Sequence, residues 1–286
     1  MDLIKLSPEQ FKRFAKLVYD RTGIDLPEAK QTLLANRLRR RLRALNLASF
    51  DDYYKLMCEP AGCEEELPNF LSAVTTNETY FFRNSRLWEM FRKGWIPQFV
   101  EQKKGKARTF RLWSAAASSG EEAYTAAIVL RESLPEPNSW QVQIIGTDIS
   151  KNVLDKAKEG VYNDYAVSQM PREQVLRWFE LENGNFRVKD EAKKLVKFQF
   201  HNLRESLAQP GFDVVLLRNV LMYFDTPMKQ ATLKNVQAGV APGGLLFVGD
   251  VDPVRVSSEL REAITLEEGP PGVYLRPAAQ KVGIGK

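Results

Sequence analysis

The stretch from Arg111 to Tyr124, R-L-W-S-A-A-A-S-S-G-E-E-A-Y, constrains the fold of this chain more than any other. Thr109 to Trp113 alternates and carries β-formers, which suits a buried strand. Small residues follow from Ser114 to Ser119, and then Gly120. Glu121 and Glu122 open an apolar-periodic run through Ala126, Ala127, Val129 and Leu130 that reads as a helix. A strand, a small-residue turn and a helix together lay a nucleotide-like ligand against backbone, because larger side chains block its approach. The turn has neither G-x-G-x-x-G for a pyrophosphate nor G-x-x-x-x-G-K-[ST] for a triphosphate. Two carboxylates instead sit at the positive end of the helix, where they repel a phosphate. The pattern fits either an ordinary tight turn of an α/β protein or a site for a cationic or zwitterionic ligand with an adenosine part.

Composition removes several chemistries. His201 is the only histidine, and Cys58 and Cys63 are the only cysteines. A zinc site has too few ligands at the right spacing, so no metal is expected. A Ser-His-Asp triad would need His201, which lies in F-Q-F-H-N without a nucleophile elbow nearby and reads as structural. The enzymatic reading therefore calls for a reactive cofactor or a reaction without a histidine base. A disulfide between Cys58 and Cys63 would close a tiny loop and stabilise little, so reduced thiols and a cytoplasmic location are expected. The start, M-D-L-I-K-L-S-P-E-Q, has no signal-peptide core, and no run approaches the roughly 20 apolar residues of a membrane span. The chain of 286 residues carries a net charge of +5 and a pI near 9.1. That excess attracts nucleic acid, an anionic membrane or an acidic protein, and does not choose among them.

Residues 1 to about 70 read as helical. Phe11, Phe14, Ala15, Leu17 and Val18 form one apolar face after a cap at Ser7, and Gly23 ends that helix. A second runs from about Pro27 to Leu45, with Leu34, Leu38, Leu42 and Leu45 inward. Around it sit Lys30, Arg37, Arg39, Arg40, Arg41 and Arg43. Arg37, Arg40, Arg41 and Arg43 are either a solvated face or a docking surface for an acidic partner. A third helix begins at Ser49. Glu64, Glu65 and Glu66 mark an exposed junction, which Pro68 helps to end. Thr75 to Arg83, T-T-N-E-T-Y-F-F-R, fits a capped helix start or a pocket wall with hydrogen-bonding groups, rings and a cation.

Beyond the opening stretch, Gln141 to Thr147 is a second strand. Asp148 ends it, where an acid can bind both hydroxyls of a ribose. Residues 160–200 interrupt the alternation, and Asn185 to Val188 with Leu195 to Phe200 suggest a small antiparallel appendage at about 180–200. Phe212 to Leu217, a helix from Thr226, Leu245 to Val248 and the tail G-V-Y-L-R restore it. Alternating strands and helices imply an α/β fold with a mainly parallel sheet, and ligands at the carboxyl ends of its strands. Thr79, Ser114 to Gly120, Asp148, Asn202 and Asn219 are expected to converge there.

In this order, T-T-N-E-T-Y-F-F-R, W-S-A-A-A-S-S-G-E-E-A-Y, T-D-I-S and R-N-V-L-M-Y-F resemble the CheR family of chemotaxis-receptor protein-glutamate O-methyltransferases, across nearly the whole chain. The resemblance implies a Rossmann-like class I methyltransferase sheet at 73–286, an N-terminal all-α docking domain at 1–72 and the small antiparallel β appendage. It implies S-adenosylmethionine as cofactor, released as S-adenosylhomocysteine. Carried over by motif, Asn77, Thr79 and Arg83 would contact it from the linker, Glu122 at its methionine end and Asp148 at its ribose. Asn202 and Leu203 would border the adenine, and Arg218 and Asn219 would complete the pocket. Arg83 and Tyr223 match the positions nearest the transferred methyl and are the candidate catalytic pair. The implied partner is the cytoplasmic domain of a methyl-accepting chemoreceptor or a similar acidic helical protein, met by a monomer without nucleic acid or membrane insertion. The family usually has Gly-His-Ser-Glu after the strand ending at Val248. Here Gly249-Asp250-Val251-Asp252 stands instead, which puts the substrate groove in question more than the cofactor site.

Two rival functions remain at this point. A nucleic-acid methyltransferase suits the basic pI but lacks a Pro-Pro-aromatic segment after Leu217 and a Pro-Cys nucleophile. A non-catalytic cofactor-binding adaptor fits less well with Arg83, Asp148 and Tyr223 all present.

Overall fold

A computed structural model describes residues 4–249, 258–270 and 272–278. Asp250, Val251 and Asp252 lie outside the described residues.

Four helices come first: α1 (Pro8–Thr22), α2 (Gln31–Ala44), α3 (Phe50–Cys58) and α4 (Pro60–Val74). Ser7 and Gln10 form a reciprocal capping box at the start of α1, and Gly23 closes it at φ +76. A Cβ on Gly23 would also lie 2.6 Å from the Met228 sulfur, so no other residue ends the helix as cheaply. Ser49 caps α3. Helix α4 continues through both the acidic triplet and Pro68. The expected exposed junction is therefore helix, and Glu66 is buried at 4% exposure. Both oxygens of Glu66 accept from Arg41, at 2.7 and 2.8 Å, and Oε1 also accepts from the Tyr53 hydroxyl at 2.7 Å. Full pairing of the carboxylate is what allows it inside.

After the linker, α5 (Ser85–Met90) passes through a π-helical turn at Phe91–Trp95 into α6 (Ile96–Gln102). Then follow β1 (Thr109–Ala115), α7 (Glu121–Ser133), β2 (Gln141–Asp148), α8 (Lys151–Glu159), β3 (Val161–Tyr162), α9 (Asp164–Val167) and α10 (Arg172–Trp178). The remainder is β4 (Phe179–Glu182), β5 (Asn185–Val188), α11 (Asp190–Lys193), β6 (Val196–Phe200), β7 (Phe212–Leu217), α12 (Thr226–Gln237), β8 (Val240–Val248), α13 (Ser258–Glu262), β9 (Glu267–Glu268) and β10 (Val273–Leu275).

Seven strands form one sheet in the order β6-β2-β1-β7-β8-β10-β9, parallel from β6 to β8, with β10 antiparallel to both its neighbours. Period-two alternation sorts its side chains into two cores. Leu112, Ile144, Val214, Leu245 and Phe247 face α5, α6 and α7. Trp113, Ile145, Val215 and Leu246 face the other way, into a core continuous with Phe14, Leu38, Tyr53 and Phe70 of the first four helices. The helical domain thus shares apolar core with the sheet.

The small antiparallel sheet is β3-β5-β4, built from residues 161–188. The expected appendage strand at Leu195 to Phe200 is instead β6, the parallel edge strand beside β2, in register Ile144↔Val196 to Asp148↔Phe200. Phe198 explains the choice. Its ring lies 5.4 Å from that of Tyr124 and fills the space beside Gly146 and Gly120, where a Cβ would come within 2.6 and 2.9 Å of it. Among the described residues, no helix is long and apolar enough to cross a membrane.

Candidate functional site

The carboxyl ends of β1, β2 and β7 open on a cleft with about 980 Å³ of empty space, continuous with solvent. Its backbone side is the turn between β1 and α7. Ala116 and Ala117 both donate their N–H to the Thr147 carbonyl, at 3.0 and 2.8 Å. Positive φ values at Ala116, Ser118 and Gly120 curl the chain tightly there. Gly120 must lack a side chain, because a Cβ would lie 2.9 Å from Ala157. This packing explains the glycine that ends the run of small residues.

Asp148 ends β2 under that turn. Its Oδ2 accepts from the Ser118 N–H and its Oδ1 from the Ser150 N–H, each at 2.9 Å. Burial pushes its pKa up, while backbone N–H groups of Ser150, Ser118 and Ile149 pull it back. A carboxylate has about four lone-pair sites, so capacity is left for ligand hydroxyls. Opposite, Glu122 Oε1 accepts from the Ser114 hydroxyl at 2.7 Å and Oε2 from Arg218 Nη1 at 2.8 Å. Arg218 also donates Nη2 to the Arg83 carbonyl at 2.9 Å. The ends of β1 and β7 and the linker are thereby locked together.

The linker forms another wall. Asn77 is held by the Ser118 hydroxyl, which donates to its carbonyl at 3.0 Å, and its own amide donates to Thr75. Thr79 and Arg83 line the cleft beyond it. Arg83 donates Nη1 to the Glu78 carbonyl at 2.8 Å, and its guanidinium lies 5.8 Å from the Tyr80 ring centre. The loops after β6 and β7 add Asn202, Leu203, Asn219 and Tyr223. Asn219 adopts φ +55, a conformation Asn tolerates better than most residues. All ten residues expected at the cofactor and the reacting methyl therefore line one cleft: Asn77, Thr79, Arg83, Glu122, Asp148, Asn202, Leu203, Arg218, Asn219 and Tyr223.

The arginines of α2 lie outside it, and they divide. Arg41 is committed to Glu66. Arg37 donates to the Val74 carbonyl at 2.7 Å and the Thr76 hydroxyl at 3.0 Å, which ties α2 to the start of the linker. Arg40 and Arg43 are exposed.

Residues missed by pattern reading also line the cleft. Thr22 and Ile24 come from the end of α1, and Ile24 bridges antiparallel to Phe224. The Asp25 N–H donates to the Tyr223 carbonyl at 2.8 Å. The Asn202 amide donates to the Arg21 carbonyl at 3.0 Å, and the Arg204 guanidinium caps the Tyr19 and Asp20 carbonyls. Nothing local in the sequence marks these contacts, since each joins positions some 200 residues apart, such as Ile24 and Phe224. His201 sits at the cleft beside Trp113 with its Nε2 buried and unpartnered among the described residues; burial lowers its pKa.

The model of the CheR methyltransferase SAM-binding domain matches residues 77–269, and that of the CheR all-alpha domain matches residues 9–75. The chain belongs to the CheR methyltransferase family. The chemotaxis protein methyltransferase 2 of Pseudomonas aeruginosa is 38% identical to it over 90% of this chain and 90% of that protein. The chemotaxis protein methyltransferase of Klebsiella aerogenes is 36% identical over 86% and 83%. That of Borreliella burgdorferi is 29% identical over 97% and 95%. The chain is accordingly a methyltransferase that uses S-adenosylmethionine. The cleft suits this cofactor: an acid with spare acceptor capacity lies at the end of β2, and a charge-balanced Glu122–Arg218 pair lies at the turn, able to meet a zwitterion.

Proposed function

We propose that this CheR-family protein methylates glutamate side chains of a chemoreceptor-like, acidic helical protein, forming glutamate methyl esters and S-adenosylhomocysteine. The observation that carries this reading is the placement of Arg83 and Tyr223 in one cleft with Asp148, Glu122 and Asn202. When bound, S-adenosylmethionine supplies an electrophilic methyl whose departure leaves a neutral thioether. A glutamate acceptor, with a pKa near 4.3, is already an anion at neutral pH. No general base is needed, which agrees with a chain that holds a single histidine.

The protein's part is then placement and exclusion of water. Asp148 would hold the ribose hydroxyls, and Asn202 and Leu203 would border the adenine. Glu122 and Arg218 would meet the methionine end. Arg83 orients the incoming carboxylate, leaving one of its oxygens free to attack. Tyr223 would hydrogen-bond near the methyl or the second oxygen. Arg40 and Arg43 supply an exposed positive face on α2 for an acidic helix. The protein acts in the cytoplasm as a monomer. Incubation with methyl-labelled cofactor and chemoreceptor-containing membranes tests the reading: label should enter protein in a base-labile ester that maps to glutamate. Label in nucleic acid, or base-stable label in protein, would refute it.

A further inference from the structure

The linker that carries Arg83 is fastened to α9. The Phe81 N–H donates to the Ala166 carbonyl at 2.9 Å, and the buried Phe81 ring stands edge-on to Tyr162 and Phe179, 4.9 and 5.0 Å away. That anchors the backbone. The side chains around it, Glu78, Tyr80 and Arg83, are not in the core, and Tyr165 meets two of them. Its hydroxyl donates to Glu78 Oε1 at 2.9 Å. Its ring lies edge-on to that of Tyr80, with centroids 6.2 Å apart and planes at 74°. Arg83 rests on the same two residues, bonding the Glu78 carbonyl and lying over the Tyr80 ring.

We propose that Tyr165 is a positioning residue for Arg83, acting through Glu78 and Tyr80. The inference rests on the reading of Arg83 as the group that orients the acceptor carboxylate. The chemistry gives Tyr165 two effects. It steadies the ring on which the guanidinium lies. It also occupies the Glu78 carboxylate, which is exposed and five residues from Arg83. A released Glu78 carboxylate is a natural bidentate partner for the guanidinium. Pairing there would take the donors meant for the substrate. Tyr165 is 54% exposed, so it contributes little to the core and its loss reports on positioning.

The test uses Tyr165→Phe, Glu78→Gln and their combination in the full chain. Tyr165→Phe should lower kcat about tenfold, as a small misplacement of a reacting group does. Its Tm should stay at the wild-type value, and its affinity for S-adenosylhomocysteine should fall much less than its turnover. The combined variant should recover most of the lost turnover, because glutamine cannot form the competing ion pair. Three results would overturn the proposal: unchanged turnover in Tyr165→Phe, turnover lost in step with Tm and cofactor affinity, or no recovery in the combined variant. The guanidinium NMR signal of Arg83, assigned by its absence in Arg83→Lys, gives a readout independent of the reaction. It should shift in Tyr165→Phe and return in the combined variant, and an unmoved signal would also overturn the proposal. If the wild type transfers no methyl to protein, the proposed function falls and this signal alone decides the role of Tyr165.

Discussion

Glu122 Oε2 and Arg218 Nη1 lie 2.8 Å apart across the mouth of the sheet, with side-chain exposures of 13% and 4%. One residue follows β1 and the other follows β7, so the ion pair closes the space between two parallel strands where they face the cleft. Removing the acid leaves the Arg218 charge buried with, among the described residues, the Arg83 carbonyl and the ring of Trp88 beside it. Glu122→Ala should destabilise the fold by about 3 kcal/mol, the usual cost of stranding one member of a buried pair. Denaturant unfolding measures it, and calorimetry should show weaker cofactor binding. Wild-type stability would mean that Arg218 finds water or another partner.

Asp148→Ala removes a carboxylate from the cleft end of β2 and also frees the Ser118 and Ser150 N–H groups. Affinity for S-adenosylhomocysteine should fall by roughly 1.5–3 kcal/mol, the worth of charge-assisted hydrogen bonds. Calorimetry with an unchanged Kd would remove Asp148 from the ribose site.

Tyr223→Phe keeps the ring, which lies 5.7 Å from the Lys30 ammonium, and deletes one hydroxyl. Cofactor affinity should hold while kcat falls. Equal turnover would leave Tyr223 as a packing residue at the boundary of the two domains.

The arginines of α2 should separate by experiment as they do in space. Arg40→Glu with Arg43→Glu should raise KM for the protein substrate, leave cofactor affinity and Tm alone, and weaken the salt dependence of methylation. Exposed charges act only within about 8 Å at physiological salt. Arg41→Glu should instead unfold the protein more easily, because it sets a carboxylate against the buried Glu66. A double reversal at Arg40 and Arg43 with normal KM would move docking away from this face.

Glu121 gives a pH-dependent stability. It is 4% exposed, and burial pushes its carboxyl from 4.5 up to about 7, against hydrogen bonds from its own backbone N–H and the Ser119 hydroxyl and the charge of Lys156. The folded state therefore holds the proton more tightly than the unfolded chain. The stability this contributes is complete below about pH 4.5 and is lost as pH rises toward 7. The difference amounts to roughly 3 kcal/mol. Glu121→Gln should flatten the wild-type decline over that window, as read from chemical denaturation at several pH values. Parallel curves for the two proteins would place the titration elsewhere; Asp148 and Asp213, also raised by burial, are the other candidates.

The sequence by itself determined the local elements and the chemistry of the turn. Ser7, Gly23 and Ser49 act on backbone within a few residues, so helix boundaries were legible. The small residues from Ser114 to Gly120 and the acid at Asp148 were legible for the same reason, since their constraint is local backbone geometry. Leu195 to Phe200 reads locally as a strand, yet a strand-like run does not state which sheet it joins. The choice of sheet fell to Phe198, which needs the space beside Gly146 and Gly120. Glu66 looked exposed because three glutamates in a row usually are. Only tertiary structure could supply Arg41 and Tyr53 to make its burial tolerable. The same limit hid Thr22, Ile24 and the Tyr165–Glu78 bond: each joins segments far apart in the chain, and hydrogen bonds across such distances leave no periodicity to read.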